Sequence, residues 1–415
     1  MNPVNALQTR PEIAVRFRHT RRRTLALCEP LTAEDTMVEP TPRALSAKSR
    51  LGHTAWLFEA QVLREFLPGY RLFNPRFVPL FDGRPSAAAA LSRPSLEEVL
   101  RYRGYVDAAI EELLERNPGP RALRQIERAV DREEQQQELL LAGVLDAFFA
   151  NPLRPVYLDE LDQTQLQVEP AGELRFKEFS GGLREIGFDS DGFCRENEQP
   201  SHRVWLNSCA LARRLVTCGE FAAFIADGGY LRSELWLAAG WQAAQANGWR
   251  APLYWTGTES GWSIFTLRGE LSLAALESVP VSHVSFFEAD AYARWAGCRL
   301  PTEIEWENAA CGQKVQGNLL DAERFLPAPA EELLDEEAPL QQLFGDCWEW
   351  TASMCFPYPG FKPRGSDEFT RQMSGQMVLR GGSCWTPRAH LRATYRGFLA
   401  PETRGQCSGI RLARL

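Results

Sequence analysis

Residues 129–141, AVDREEQQQELLL, place Arg132 and Gln136 four residues apart, with Glu138 two residues further on. Residues four apart share one face of a helix, so this segment would present a guanidinium and an amide side by side. Glu138 falls about 160° around the helix from Gln136. Such a face can grip a carboxylate through the planar fork of the guanidinium. It is poorly suited to a metal, because arginine keeps its proton and offers no lone pair. By periodicity Arg132 and Gln136 align with Ala129, Leu139 and Leu140 and are expected to point inward. A buried arginine needs a counter-charge. Glu59 is the structural candidate, and a bound anionic ligand is the other.

Other chemistry-bearing residues are sparse. The 415 residues hold five histidines: His19, His53, His202, His283 and His390. The ten cysteines are scattered without a C-x-x-C pair, so zinc held through cysteine is not expected. The sequence carries no nucleotide-binding loop and no Ser-His-Asp arrangement.

The elements that position these residues change character midway. Residues 10–150 read as helix. Ser46 is placed to cap a helix with apolar residues at Leu51, Trp56, Leu57, Val62 and Phe66. Ser95 and Glu98 form a capping-box pattern before another. RALRQIERAVDREEQQQELLLAGVLDAFFAN is a third, and residues 12–27 a fourth, which together suggest a four-helix bundle. Residues 73–94 form a long Pro-containing connection. After NPLRPVY (151–157) glycine and tryptophan become frequent, and short strand-like pieces alternate with turns. Residues 158–178 read as a linker, residues 1–9 as a disordered tail, and residues 312–342 as an acidic surface excursion.

Composition narrows the class. Hydrophobic residues at 44% and charged residues at 24% suit a globular protein. A net charge of −8 argues against nucleic acid as the main partner, and the basic run RFRHTRRR reads as a solvated helix face. No apolar run approaches the ~18 residues of a membrane span, and no signal-peptide core is seen. The expectation is a cytoplasmic chain with reduced thiols.

In the second half, GGLREIG (181–187), PVSHVSFFEADAYARWAGCRLPTEIEWENAA (280–310), FGDCWEWTAS (344–353), VLRGGSCW (378–385) and SGIRLAR (408–414) occur in order. Together they resemble the formylglycine-generating-enzyme family, whose fold is a variant of the C-type lectin fold. Trp306, Trp348 and Trp350 are expected in the core, and the glycine pair of LRGGS marks a turn or a close backbone approach.

LGHTAWLFE, LSRPSLEEVLRYR, NPLRPVYL, NEQPSHRVWL, LVTCGEFAAFIADGGYLRSELWL and PYPGF extend the resemblance over residues 10–415. They are similar to the sulfoxide synthases of ergothioneine biosynthesis, whose relatives make ovothiol and selenoneine. The resemblance implies an α+β chain of two domains: a four-helix bundle (10–157), then a formylglycine-generating-enzyme-like, lectin-like mixed domain (179–415). It also implies a non-heme iron, held by three histidines between the two. That iron uses oxygen to join a thiol to the imidazole of a histidine betaine.

The family's iron helix reads H-x-x-x-H-x-E. At the matching positions this chain has Arg132, Gln136 and Glu138, and only His53, in LGHT, remains of the three ligands. The family's tyrosine pair is missing from LFNPRFVPLF. The pocket stretch RGFLAPETRGQCSG, with Arg396 and Phe398, is poorer in aromatic residues. Cys384 and Cys407 do not have the local spacing of the copper-holding cysteines of formylglycine-generating enzymes.

The expectation is therefore a divergent member without an intact iron site. It would be a pseudoenzyme, or a protein repurposed to bind a small zwitterion, histidine-derived or thiol-bearing, through Arg132, Gln136, Glu138, Arg396 and Phe398. No cofactor is expected on this reading. The competing expectation is an oxygen-dependent enzyme forming C–S or C–Se bonds with iron(II) in an atypical site. A third is an interaction module with a protein partner.

Overall fold

Local signals set the helix boundaries. Helix α1 (Arg10–Ala26) starts where the Thr9 backbone N–H donates to Glu12, with Pro11 in its first turn. Helix α2 (Ala47–Phe58) is capped by Ser46, whose side chain accepts from the Ser49 N–H. It runs on through a π-helical turn (Glu59–Leu63) into a short helix α3 (Arg64–Phe66). A single turn, α4 (Val78–Phe81), follows. The expected capping box of Ser95 and Glu98 opens α5 (Leu96–Glu115), each residue bonding the other's backbone N–H. Pro120 occupies the first position of α6 (Pro120–Ala150), where its missing N–H has no intrahelical partner to lose.

The computed structural model describes residues 9–39, 45–82, 92–159, 171–190, 192–259, 261–331, 338–363 and 375–415. Outside these lie the tail expected at 1–9 apart from Thr9, residues 160–170 of the expected linker, residues 83–91 of the Pro-containing connection and residues 332–337 of the acidic excursion. The chain divides into two compact units, Met1–Leu158 with Ser190–Phe193, and Asp159–Asp189 with Cys194–Leu415.

The first unit is helical. Helix α2 packs on α5 and α6, and α1 packs on α6 and α5. Its apolar core joins Ile13 and Phe17 of α1, Leu51, Ala55 and Phe58 of α2, Val99, Tyr102 and Ile110 of α5, and Ile126, Ala129 and Val130 of α6. Among the described residues no helix is long and apolar enough to cross a membrane.

The second unit is mixed. Strands β1 (Phe176–Phe179), β4 (Cys209–Ala212) and β12 (Ala413–Arg414) form one sheet in the order β1-β4-β12. A two-stranded ribbon pairs β2 (Gly182–Ile186) with β3 (His202–Leu206), and β5 (Trp255–Thr258), β6 (Gly261–Thr266) and β7 (Gly269–Ser272) make a meander. The fourth sheet runs β10-β9-β8-β11, from β8 (Trp348–Met354), β9 (Met377–Arg380), β10 (Gly397–Leu399) and β11 (Ser408–Gly409). Helices α7 (Cys218–Ala226), α8 (Ala238–Ala246), the short α9 (Leu273–Leu276), α10 (Phe286–Trp295) and α11 (Glu303–Ala310) pack around these sheets.

Trp306, Trp348 and Trp350 are buried, as their pattern predicts. Alternation along β8 sends Trp348 and Trp350 to the same side, and both join the main core. Gly381 has φ +89°, and a Cβ there would lie 2.6 Å from the Leu343 carbonyl oxygen, so the first glycine of RGGS answers both a turn and a close approach.

Candidate functional site

Helix α2 carries two basic side chains on one face. Arg50 and His53 are three residues apart and therefore neighbours. His53 is oriented by α4: its Nδ1 lies 2.7 Å from the Phe81 carbonyl oxygen, and its ring stacks on Trp56 at 5.7 Å. A carbonyl only accepts, so Nδ1 carries the proton and Nε2 is the basic nitrogen. Gly52 permits this approach. A Cβ at Gly52 would stand 2.2 Å from the Phe81 ring.

Helix α6 presents two different polar faces. Glu133, Glu134 and Gln137 are buried and turned to α1 and α5. Glu133 accepts from Arg21 at 2.8 Å, Arg103 at 2.9 Å and Thr24 at 2.7 Å. Burial pushes its carboxyl up, but the two guanidinium groups outweigh burial and hold it down at about 2. Glu134 is held by Arg16 at 2.6 and 3.0 Å, and Gln137 donates to the Thr20 carbonyl at 2.9 Å. This face fastens the helices together.

The other face holds two of the sequence-derived candidates, Arg132 and Gln136. Arg132 and Gln136 are half-buried rather than fully inward. Gln136 Oε1 accepts from Arg50 Nη1 at 2.5 Å. Glu138 is buried. The expected Arg132–Glu59 pair does not form. Glu59 opens the π-helical turn and accepts from Tyr70 Oη at 2.7 Å, the Phe73 N–H at 3.2 Å and Tyr102 Oη at 2.8 Å. Two phenols and an amide satisfy its oxygens from a neighbouring loop and α5. Phe73, Phe77 and Phe81 pack against Tyr102.

The other candidates lie in the second unit. Arg396 is fully buried. It donates to Glu303 at 2.8 and 3.0 Å and to the Asn197 and Phe356 carbonyls, each at 2.9 Å, and its guanidinium lies 4.2 Å from the Tyr358 ring centroid. Phe398 sits on β10 opposite Val378 and packs on the small cluster of Cys355 and Val378. Cys384 and Cys407 are fully buried, and the Cys384 N–H and the Cys407 thiol both point to the Asp346 carbonyl, at 3.0 and 3.5 Å. His202 lies against Tyr358 with the rings tilted, His283 packs between Tyr254 and Trp385, and His390 meets Tyr395 Oη at 2.9 Å. His19 is exposed on α1.

Arg50, Gly52 and Phe81 were not singled out in the sequence. The signal for Arg50 was its place one turn before His53. Nothing in the spacing signalled Phe81, which is 28 residues away.

Comparison with known proteins places these units. The profile described as the sulfatase-modifying factor enzyme 1-like domain matches residues 170–415, more than half of the chain. This chain belongs to that family. The DinB superfamily profile matches residues 16–143 of the helical unit. Among curated relatives, the "Hercynine oxygenase" of Mycobacterium tuberculosis is 38% identical over 242 residues, which is 52% of this chain and 55% of that protein. That of Mycolicibacterium smegmatis is 37% identical over 262 residues, 56% and 59% respectively. The "Formylglycine-generating enzyme" of Thermomonospora curvata is 27% identical over 287 residues, 56% of this chain and 90% of that protein. The chain spans little more than half the length of the hercynine oxygenases it matches.

Proposed function

We propose that this chain is a divergent relative of the hercynine oxygenases that has given up iron and serves to bind a small zwitterion, histidine-derived or thiol-bearing. The observation that carries this reading is the contact of Arg50 with Gln136. Of the three positions implied for iron, His53 keeps an imidazole with Nε2 as its basic nitrogen. Gln136 spends its oxygen on a cation, Arg50 Nη1 at 2.5 Å. Arg132 offers donors only. A divalent ion placed there would meet one imidazole and at least one guanidinium, where a ferrous site needs several lone-pair donors and tolerates no fixed positive charge. The residues do not fit the metal.

On this reading the helical unit is a four-helix bundle, the second unit is a formylglycine-type variant of the lectin fold, and the protein is cytoplasmic. The ligand's anionic end is met on the helical unit, by the face of α2 and α6 that carries Arg50, Gln136 and Arg132. The test is anaerobic titration of the purified chain with ferrous iron, followed by oxygen and thiol consumption in the presence of hercynine. No stoichiometric iron, together with saturable binding of hercynine or a related betaine, is the expected result. One tightly bound iron per chain with oxygen-dependent thiol consumption would establish the alternative, an enzyme forming C–S or C–Se bonds.

A further inference from the structure

Among the described residues, the five most deeply buried arginines meet carboxylates. Arg21 and Arg103 meet Glu133, Arg380 meets Glu303 and Glu307, Arg396 meets Glu303, and Arg411 meets Glu349. Arg50 departs from this pattern. It is 8% exposed, and its hydrogen-bond partner is the neutral amide of Gln136. Among the described residues no carboxylate contacts its guanidinium. Burial pulls it down to about 10 with no acid to push it back, yet it remains cationic at neutral pH.

An unpaired buried charge costs stability, and such costs persist in folded proteins where a ligand or reaction offsets them. The second group in the arrangement is Gln136 itself. Its oxygen faces Arg50, so its NH2 faces away, and among the described residues nothing accepts from that NH2. The pair therefore combines an unneutralised guanidinium with a neutral amide donor, on two packed helices that fix their spacing. This donor set suits an anion. One positive charge balances the single charge of a carboxylate, whose two oxygens match the parallel N–H bonds of a guanidinium edge. A phosphate dianion would leave one charge unmatched.

We infer that Arg50, with the Gln136 amide beside it, anchors a carboxylate-binding site on the helical unit and holds the carboxylate of a small-molecule ligand. This rests on the reading of the chain as a binder of small zwitterions, and names the residue that receives the ligand's anionic end. Sequence spacing pointed to Arg132 for this task. Burial and the missing counter-charge assign it to Arg50.

The experiment compares the full-length wild type with Arg50→Met and Arg50→Lys, by thermal unfolding and calorimetry. The probes are acetate, inorganic phosphate, hercynine, and the decarboxylated trimethylammonium analogue of hercynine. Acetate and hercynine should raise the wild-type Tm, and the decarboxylated analogue should bind roughly 10- to 100-fold more weakly than hercynine, as expected for loss of a charge-assisted hydrogen bond. Arg50→Met should lose the acetate response and bind hercynine more weakly by a similar factor, while Arg50→Lys keeps part of both.

Without added anion, Arg50→Met should unfold at the same temperature as the wild type or above it, because an unpaired buried charge has gone. A purely structural arginine would give the opposite result, a lower Tm with unchanged anion responses, and that result overturns the inference. So does a wild type that responds to none of the carboxylates, or that prefers phosphate to acetate. Hercynine binding unaffected by Arg50→Met overturns this assignment while leaving the binding-protein reading intact. Tight iron in the wild type overturns that reading without touching the acetate result.

Discussion

Arg50 Nη1 and Gln136 Oε1 stand 2.5 Å apart, joining α2 to α6 across 86 residues of sequence. The contact puts a guanidinium where the family resemblance implies a metal ligand. The wild type should therefore take up no stoichiometric ferrous iron. Arg132→His with Gln136→His restores three imidazoles but leaves Arg50 beside one of them. Adding Arg50→Met should tighten iron binding by at least roughly tenfold over the double variant, because a fixed unit charge about 4 Å away costs about 4 kcal/mol near a protein surface and a long arginine can swing aside to relieve part of it. Anaerobic titration of the three proteins measures this. Equal affinity in the double and triple variants would show that Arg50 moves aside at no cost.

Gly52→Ala tests how His53 is held. A Cβ 2.2 Å from the Phe81 ring must push α4 away from α2, removing the carbonyl that fixes His53 Nδ1–H. Overpacking of this kind costs about 1–3 kcal/mol. Urea unfolding reads the loss, and the imidazole nitrogen shifts of His53 read the change of tautomer. An unchanged tautomer would mean that Phe81 does not set it.

Glu133 should govern the acid limit of the helical unit. Its folded-state carboxyl is held at about 2, below its ordinary value of 4.5. A depressed carboxylate contributes stability that is complete above the unfolded value and is lost as the pH falls from about 4.5 towards 2. Urea unfolding between pH 7 and pH 2.5 should show this decline in the wild type and a flatter profile in Glu133→Gln. Glu133→Ala leaves Arg103 without its carboxylate and Arg21 with Asp107 alone, and should cost about 3–5 kcal/mol at pH 7. A parallel pH profile in Glu133→Gln would show that other carboxylates set the acid limit.

Arg396→Ala distinguishes a structural from a ligand-facing guanidinium in the second unit. Its donors already serve Glu303, Asn197 and Phe356. Removing it exposes the Glu303 carboxylate to a deficit that Arg380, at 3.2 Å, only partly covers. The expected loss is about 3 kcal/mol, with Arg396→Lys recovering little because the bidentate geometry is gone. Reduced hercynine affinity with unchanged unfolding would instead place Arg396 at the ligand.

Where structure depends on neighbouring residues, the sequence by itself determined it. Ser46 and the Ser95–Glu98 box start their helices because a cap needs only its own side chain and the first free N–H groups. Trp348 and Trp350 lie on one side of β8 because strand side chains alternate. That Arg132 and Gln136, four residues apart, share one face of α6 is equally plain from spacing. Tertiary structure alone decided who meets whom. Glu59 satisfies Tyr70 and Tyr102 instead of Arg132, Glu133 collects Arg21 from 112 residues away, and Arg50 reaches Gln136 without a carboxylate. A long arginine can reach many acids from one helix face. Which acid it meets is set by the packing of the helices, through contacts between residues far apart in the chain, and no local pattern encodes that choice.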